Sequence, residues 1–387
     1  IIYKQYGINH VYARMVSIFF SSLGLTFLYL LIRELLGKSY AVIAALFFTF
    51  NAYNIFYSRV VLPDPMFVAL STVSLYWCVK WVKSKQALYG ILLGVTFAIA
   101  ILVKPYALFI GIPMLYWVFI NWGFKKTVFK PFNYLVLALA LIPFILWRTH
   151  IAAYPEGSFT TTWLYNAGNI RFKGAWFRWI FYDRLNRLIF GTGGFVLFFF
   201  GFIRSHITKN RSLFFVWTLA IFLYFTIFAK GNVNHDYYQL PVIPVGSALV
   251  AIGFIDLIKL GKNRLQKTIN FSIASFLFLL ALAFSWYEVR GFFNINNEAM
   301  VKAGQAINEL TPPDALVIAP YQVDPAFLYQ TNRHGWPVGG DIDTKIKAGA
   351  KYYVTTSFDD EFAELKNRFG VMVQNNDYAI IELGLPK

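Results

Sequence analysis

Ten apolar runs, each approaching the ~20 residues that a helix needs to cross a bilayer, leave this chain few ways to fold. They cover residues 14–32, 40–57, 65–81, 88–103, 106–122, 132–147, 188–203, 213–228, 238–258 and 269–287. Hydrocarbon offers no water to the backbone, so each run must satisfy its own amides as helix. Composition agrees: 58% of the residues are hydrophobic and 14% charged, against about 45–50% and about 25% in soluble domains. Pro113, Pro143, Pro241 and Pro244 fall inside runs, which membrane helices tolerate where neighbours satisfy the freed carbonyls.

A formal net charge of +16 would suggest nucleic acid as partner in a soluble protein. The placement of the cations argues otherwise. Arg33 and Lys38; Lys80, Lys83 and Lys85; Lys125, Lys126 and Lys130; Arg204, Lys209 and Arg211; and Lys259, Lys262, Arg264 and Lys267 occupy alternate, short loops. If the first run passes inward, all of these loops share one face, which the positive-inside rule makes cytoplasmic. Topology thus explains the charge, and no nucleic acid is expected as a partner. The single cysteine, Cys78, excludes an intrachain disulfide and reads as a small hydrophobe inside its run.

The opposite face receives 59–64, Lys104-Pro105, the long segment 150–187, the turn 231–238 and everything after Tyr287. From residue 290 the composition changes. Helix-like 297–310 and 359–369 alternate with strand-like 315–319, 351–356 and 378–383, the pattern of a small α/β domain. The expected fold class is therefore mainly α: a polytopic transmembrane helical bundle over 1–290, with an α/β extracytoplasmic domain over 291–387. Its location is a cell membrane, crossed many times. Segment 176–190 interleaves aromatics with Arg178, Arg184 and Arg187. It reads either as an amphipathic helix lying in the outer interface or as the ragged end of the next span.

Polar groups that can do chemistry gather at outer span ends. Arg59 and Asp64 lie between two spans, where opposite charges suggest a site. Asp64 before Pro65 also reads as a helix N-cap; capping and function are compatible. Arg59, Lys104 and Lys230 sit one apiece in short outer loops. With Arg184 and Arg187 they can face an anion, and a lipid phosphate is the anion at that depth. Snorkelling to headgroups is the alternative; for the set, the site is favoured. The second concentration is His235-Asp236-Tyr237-Tyr238. Its tyrosines can stack on a sugar or hold a phosphate, and His with Asp can orient an acceptor. The same pair can supply two ligands to a divalent metal, with two more unplaced. The alternative is a loop of interfacial aromatics.

These residues carry a resemblance. Tyr6-Gly7-Ile8-Asn9 with Arg14, Ser58-Arg59 through Pro63-Asp64, Lys104-Pro105, and His235-Asp236-Tyr237-Tyr238-Gln239-Leu240-Pro241 follow one another in an order similar to the GT-C fold glycosyltransferases of family 39. The likeness is close to the protein O-mannosyltransferase and aminoarabinose-transferase group. Leu328-Tyr329, Arg333 and Gly335-Trp336 look like its bacterial members. The resemblance implies transfer of a sugar from a polyprenyl-phosphate carrier, in the membrane lipid, to a protein, lipid or glycan acceptor at the outer face. It implies inversion, with a carboxylate as general base and cations or a metal on the leaving phosphate. Asp64 is then the supporting carboxylate; Arg59, Lys104, Arg184 and Arg187 bind the donor phosphate; and His235 to Tyr238 bind substrate. In that family the main acidic residue follows an N-terminal span. Because residue 1 stands in mid-loop without an initiator methionine, that span and loop are expected ahead of this chain.

Two other readings compete. A transporter or flippase of lipid-linked sugars would show internal repeats and polar groups near the midplane, whereas these charges cluster at span ends. A non-catalytic scaffold would use the outer domain to bind glycan or a partner.

Overall fold

A computed structural model describes residues 9–154, 162–294, 297–322 and 324–386. The Tyr6-Gly7-Ile8 part of the first motif lies outside the described residues. The chain forms two compact units, one centred on Asn9–Phe293 and one on Asn294–Lys387.

The first unit is mainly helical, and each apolar run lies largely in helix. Seven helices are long and apolar enough to cross a membrane among the described residues. Two more, Lys38–Phe50 and Ala87–Val103, are apolar but shorter, and Gly174–Ile189 with Gly193–Arg204 form a bent pair that passes the same test only when taken together. The departures from simple spans have local causes. Run 40–57 divides into Lys38–Phe50 and Ala52–Tyr57 at Asn51. The Asn51 side chain accepts from the Asn54 amide at 3.0 Å and donates to the Ile189 carbonyl at 2.6 Å, fully buried. Run 188–203 is shorter than expected. Leu188 and Ile189 end a π-helical stretch, Arg178–Ile189, and the span begins at Gly193 after a 115° bend. Gly191 makes the bend with φ 54°, and its α-carbon lies against the Ala281 carbonyl, where a Cβ would overlap. Glycine alone fits there. Of the two readings of 176–190, the separate helix is the one found.

The helices Gly193–Arg204 and Val242–Lys259 meet through facing glycines. A Cβ on Gly201 would strike the Leu249 carbonyl, and one on Gly253 the Leu197 carbonyl. Small residues allow such backbone contact, which is how membrane helices gain dispersion without a hydrophobic driving force.

Polar contacts sort the loops to two ends. Lys83 reaches Glu34, Asn210 the Leu35 carbonyl, and Arg211 and Arg204 both reach Asp256. All of these belong to the basic loops. At the other end Asp64 meets Lys104, Tyr57 meets Asp236, and Arg187 meets Glu288.

The second unit is a five-stranded sheet with helices on both faces. Its strands are β1 (Leu316–Ile318), β2 (His334–Trp336), β3 (Ala350–Thr355), β4 (Phe369–Gln374) and β5 (Ala379–Pro386), in the order β2-β1-β3-β5-β4. β1 is parallel to β2 and β3; β5 is antiparallel to β3 and β4. Strand alternation serves two cores. Val317, Tyr352, Val354 and Ile380 pack under Glu298–Leu310, while Ile318, Tyr353 and Ile381 pack under Asp360–Arg368 with Phe362 and Leu365. Arg333 is buried and donates to the Asn308 and Thr311 carbonyls at 2.8 and 2.6 Å, closing the C-terminus of Glu298–Leu310. Tyr329 lies in the short helix Ala326–Gln330, and Trp336 in β2.

Candidate functional site

Lys104 follows the last turn of Ala87–Val103 and precedes Pro105, a position that steric clash with the proline ring keeps extended. Its backbone is so (φ −148°, ψ 123°), and the side chain crosses to the neighbouring helix. There its Nζ donates to both oxygens of Asp64 at 2.8 Å. Asp64 is the first residue of Asp64–Ser84, with Pro63 at the cap and no side-chain capping bond. Its carboxylate therefore serves Lys104 and not the N-cap, while still lying in the positive field of the helix terminus. The pair is shielded: side-chain exposure is 2% for Asp64 and 15% for Lys104.

Three aromatic rings surround the ammonium. Lys104 Nζ stands 4.9 Å from the ring centre of Tyr238, 5.4 Å from Tyr237 and 5.8 Å from Tyr106. The His235 ring packs at 5.2 Å against both Tyr237 and Tyr238. Burial pushes the His235 pKa below its ordinary value, and Asp236 opposes the shift without reversing it. The imidazole is thus neutral near pH 7 and keeps one acceptor nitrogen.

The 235–239 turn is anchored from two sides. Tyr57 Oη donates to Asp236 Oδ1 at 2.5 Å, and Tyr53 Oη donates to the Asp236 carbonyl at 2.6 Å. Gln239 Nε2 donates to the Asn232 carbonyl at 2.7 Å and to its Oδ1 at 3.0 Å, with both residues fully buried. Arg184 Nη2 approaches the Val233 carbonyl at 3.5 Å.

The structure therefore brings Asp64, Lys104, His235, Asp236, Tyr237 and Tyr238 together, with Arg184 at their edge. Arg59 and Arg187 have other partners. Arg59 lies 4.5 Å over the Phe293 ring. Arg187 pairs with Glu288 at 2.7 Å and faces Asp183 at 3.7 Å. Among the described residues no three His, Cys, Asp or Glu side chains converge as a metal would require. Tyr53, Tyr57 and Tyr106 were not singled out from the sequence. The signal was present: Tyr53 and Tyr57 share a helix face at i, i+4 spacing, and Tyr106 stands two residues after Lys104.

In fold this chain is similar to solved membrane glycosyltransferases of GT-C type. Residues 1–147 match the family described as dolichyl-phosphate-mannose-protein mannosyltransferase. The whole chain is similar to ArnT from Cupriavidus metallidurans bound to undecaprenyl phosphate. The TM-score is 0.68 at 14% identity, covering 98% of this chain and 85% of that one. It is also similar to the oligosaccharyltransferase AglB from Archaeoglobus fulgidus in complex with an inhibitory peptide and a dolichol-phosphate. There the TM-score is 0.55 at 13% identity, covering 94% and 62%. At these identities the likeness is one of fold. No curated protein matches the chain in sequence.

Proposed function

We propose that this protein is a glycosyltransferase that moves a sugar from a polyprenyl-phosphate carrier to an acceptor, at the non-cytoplasmic membrane face. The observation that carries the proposal is the shielded Asp64–Lys104 pair, ringed by Tyr106, Tyr237 and Tyr238. Cleaving a sugar from a lipid phosphate leaves charge on the phosphate oxygens, and a fixed cation in a low-dielectric site stabilises that charge most. Lys104 is such a cation, and Asp64 holds it in place. Both Asp64 oxygens are engaged by Lys104, so Asp64 serves the phosphate side and not as the base that activates the acceptor. Arg184 is the second cation for the donor phosphate. Tyr237 and Tyr238 offer faces to the sugar, and neutral His235 offers a hydrogen-bond acceptor to a hydroxyl. The carriers in the two solved structures, undecaprenyl phosphate and dolichol-phosphate, are of the class this arrangement suits. The positive-inside rule favours the basic end of the bundle as the cytoplasmic one, which supports an outward-facing site.

The test is sugar release from a labelled polyprenyl-phosphate donor by the full-length protein in proteoliposomes. Lys104→Gln should lower turnover by about 10²–10³-fold, the usual cost of one donor to a developing oxyanion. Membrane insertion should be unchanged. Turnover at the wild-type rate would remove the pair from the mechanism.

A further inference from the structure

The opposite end of the bundle holds a second charged cluster that sugar transfer does not use. Asp256, 3% exposed, accepts from Arg211 at 2.6 and 2.9 Å and from Arg204 at 3.0 Å. The buried Tyr40 hydroxyl donates to Asp256 at 3.0 Å and accepts from Arg211 at 2.8 Å and Lys259 at 3.1 Å. One carboxylate thus stands against Arg204, Arg211 and Lys259. Lys38 and Lys209 add to the excess. Neither they nor Lys259 have a carboxylate within salt-bridge reach among the described residues.

Two clefts open on either side of Tyr40 and Lys259. One, of about 520 Å³, is lined by Leu36, Lys209, Asn210 and Arg211. The other, of about 400 Å³, is lined by Lys38, Ser39, Ile255 and Ile258. Each holds the start of a helix, Lys209–Ile227 and Lys38–Phe50, and neither start has a side-chain capping bond. The positive end of a helix beside several cations suits a phosphate. The leucine and isoleucine walls suit an acyl chain.

We infer that this basic end binds the phosphate of an anionic glycerophospholipid at Lys259, which both clefts share, with Lys38 on one side, Lys209 and Arg211 on the other, and its chains along Leu36, Ile255 and Ile258. Arg204 and Asp256 hold Arg211 and Tyr40 in place for it. Basic pockets between spans are a general form of headgroup recognition, and this one lies at the far ends of the helices from Lys104.

The experiment uses the full-length protein in a neutral detergent, with thermal unfolding followed against short-chain phosphatidylglycerol, phosphatidylcholine and inorganic phosphate. Phosphatidylglycerol should stabilise the wild type. Its half-saturating concentration should rise about a hundredfold in K38Q/K209Q/K259Q, given about fivefold for each cation near a headgroup. K38Q/K209Q disturbs no ion pair and should show a rise of about twenty-five-fold even if the triple variant folds poorly. K125Q/K126Q/K130Q removes the same charge from another basic loop and should leave the concentration little changed. Equal loss in that control would overturn the site. Equal stabilisation by inorganic phosphate would overturn the lipid, and so would no response to phosphatidylglycerol.

Discussion

The unequal burial of Asp64 and Lys104 makes a quantitative prediction. Removing one partner of a buried pair leaves an uncompensated charge, at a cost of about 3–5 kcal/mol. Lys104→Met strands the more deeply buried partner, since Asp64 is 2% exposed, so the full cost applies. Asp64→Asn strands an ammonium that is 15% exposed and faces three tyrosine rings within 5.8 Å. Partial hydration and the ring quadrupoles hold it, and the new amide oxygen still accepts one of its hydrogens, so the cost should be about 1–2 kcal/mol. The double variant leaves no stranded charge and should lie close to Asp64→Asn, so the coupling should match the whole Lys104→Met cost, about 3–5 kcal/mol. The assay is reversible unfolding in mixed micelles of the four proteins, followed by tryptophan fluorescence. If Asp64→Asn costs as much as Lys104→Met, or if the two losses simply add, the burial argument is wrong.

His235 predicts a pH response. Its folded pKa lies below the ordinary 6.5, so between the two values the unfolded chain holds more protons. Stability is therefore complete above about pH 6.5 and declines as pH falls through the folded value; His235→Gln should flatten that decline in the same unfolding assay. Gly253→Val places side-chain atoms against the Leu197 carbonyl and should destabilise the bundle by about 1–3 kcal/mol or more. A midpoint equal to wild type would show that the two helices can separate freely.

The long-range plan was legible because hydrocarbon tolerates so few backbone solutions: ten runs predicted ten helical segments, and alternating basic loops predicted two distinct ends. What sequence concealed was local. The break at Asn51 depends on a bond to Ile189, which no pattern within 40–57 discloses. The Gly191-Thr192-Gly193 bend is flanked by apolar residues on both sides and so read as span. β2 is three residues long, and β4 follows Asp360–Arg368 without a turn residue, so helix periodicity ran over its start. At the site, the charged residues stood out against an apolar chain. The tyrosines that encircle Lys104 and clamp Asp236 did not, because 20% of the residues are aromatic and tyrosines at span ends are ordinary.

Asn51 has a wider role than ending a helix. One side of its amide group sets the start of Ala52–Tyr57, whose tyrosines grip Asp236, and the other holds the tail of Arg178–Ile189, which carries Arg184. Displacing that arm would strain the same amide that sets the start of Ala52–Tyr57, so a shift of Arg178–Ile189 is transmitted through Asn51 and Tyr57 to the 235–239 turn.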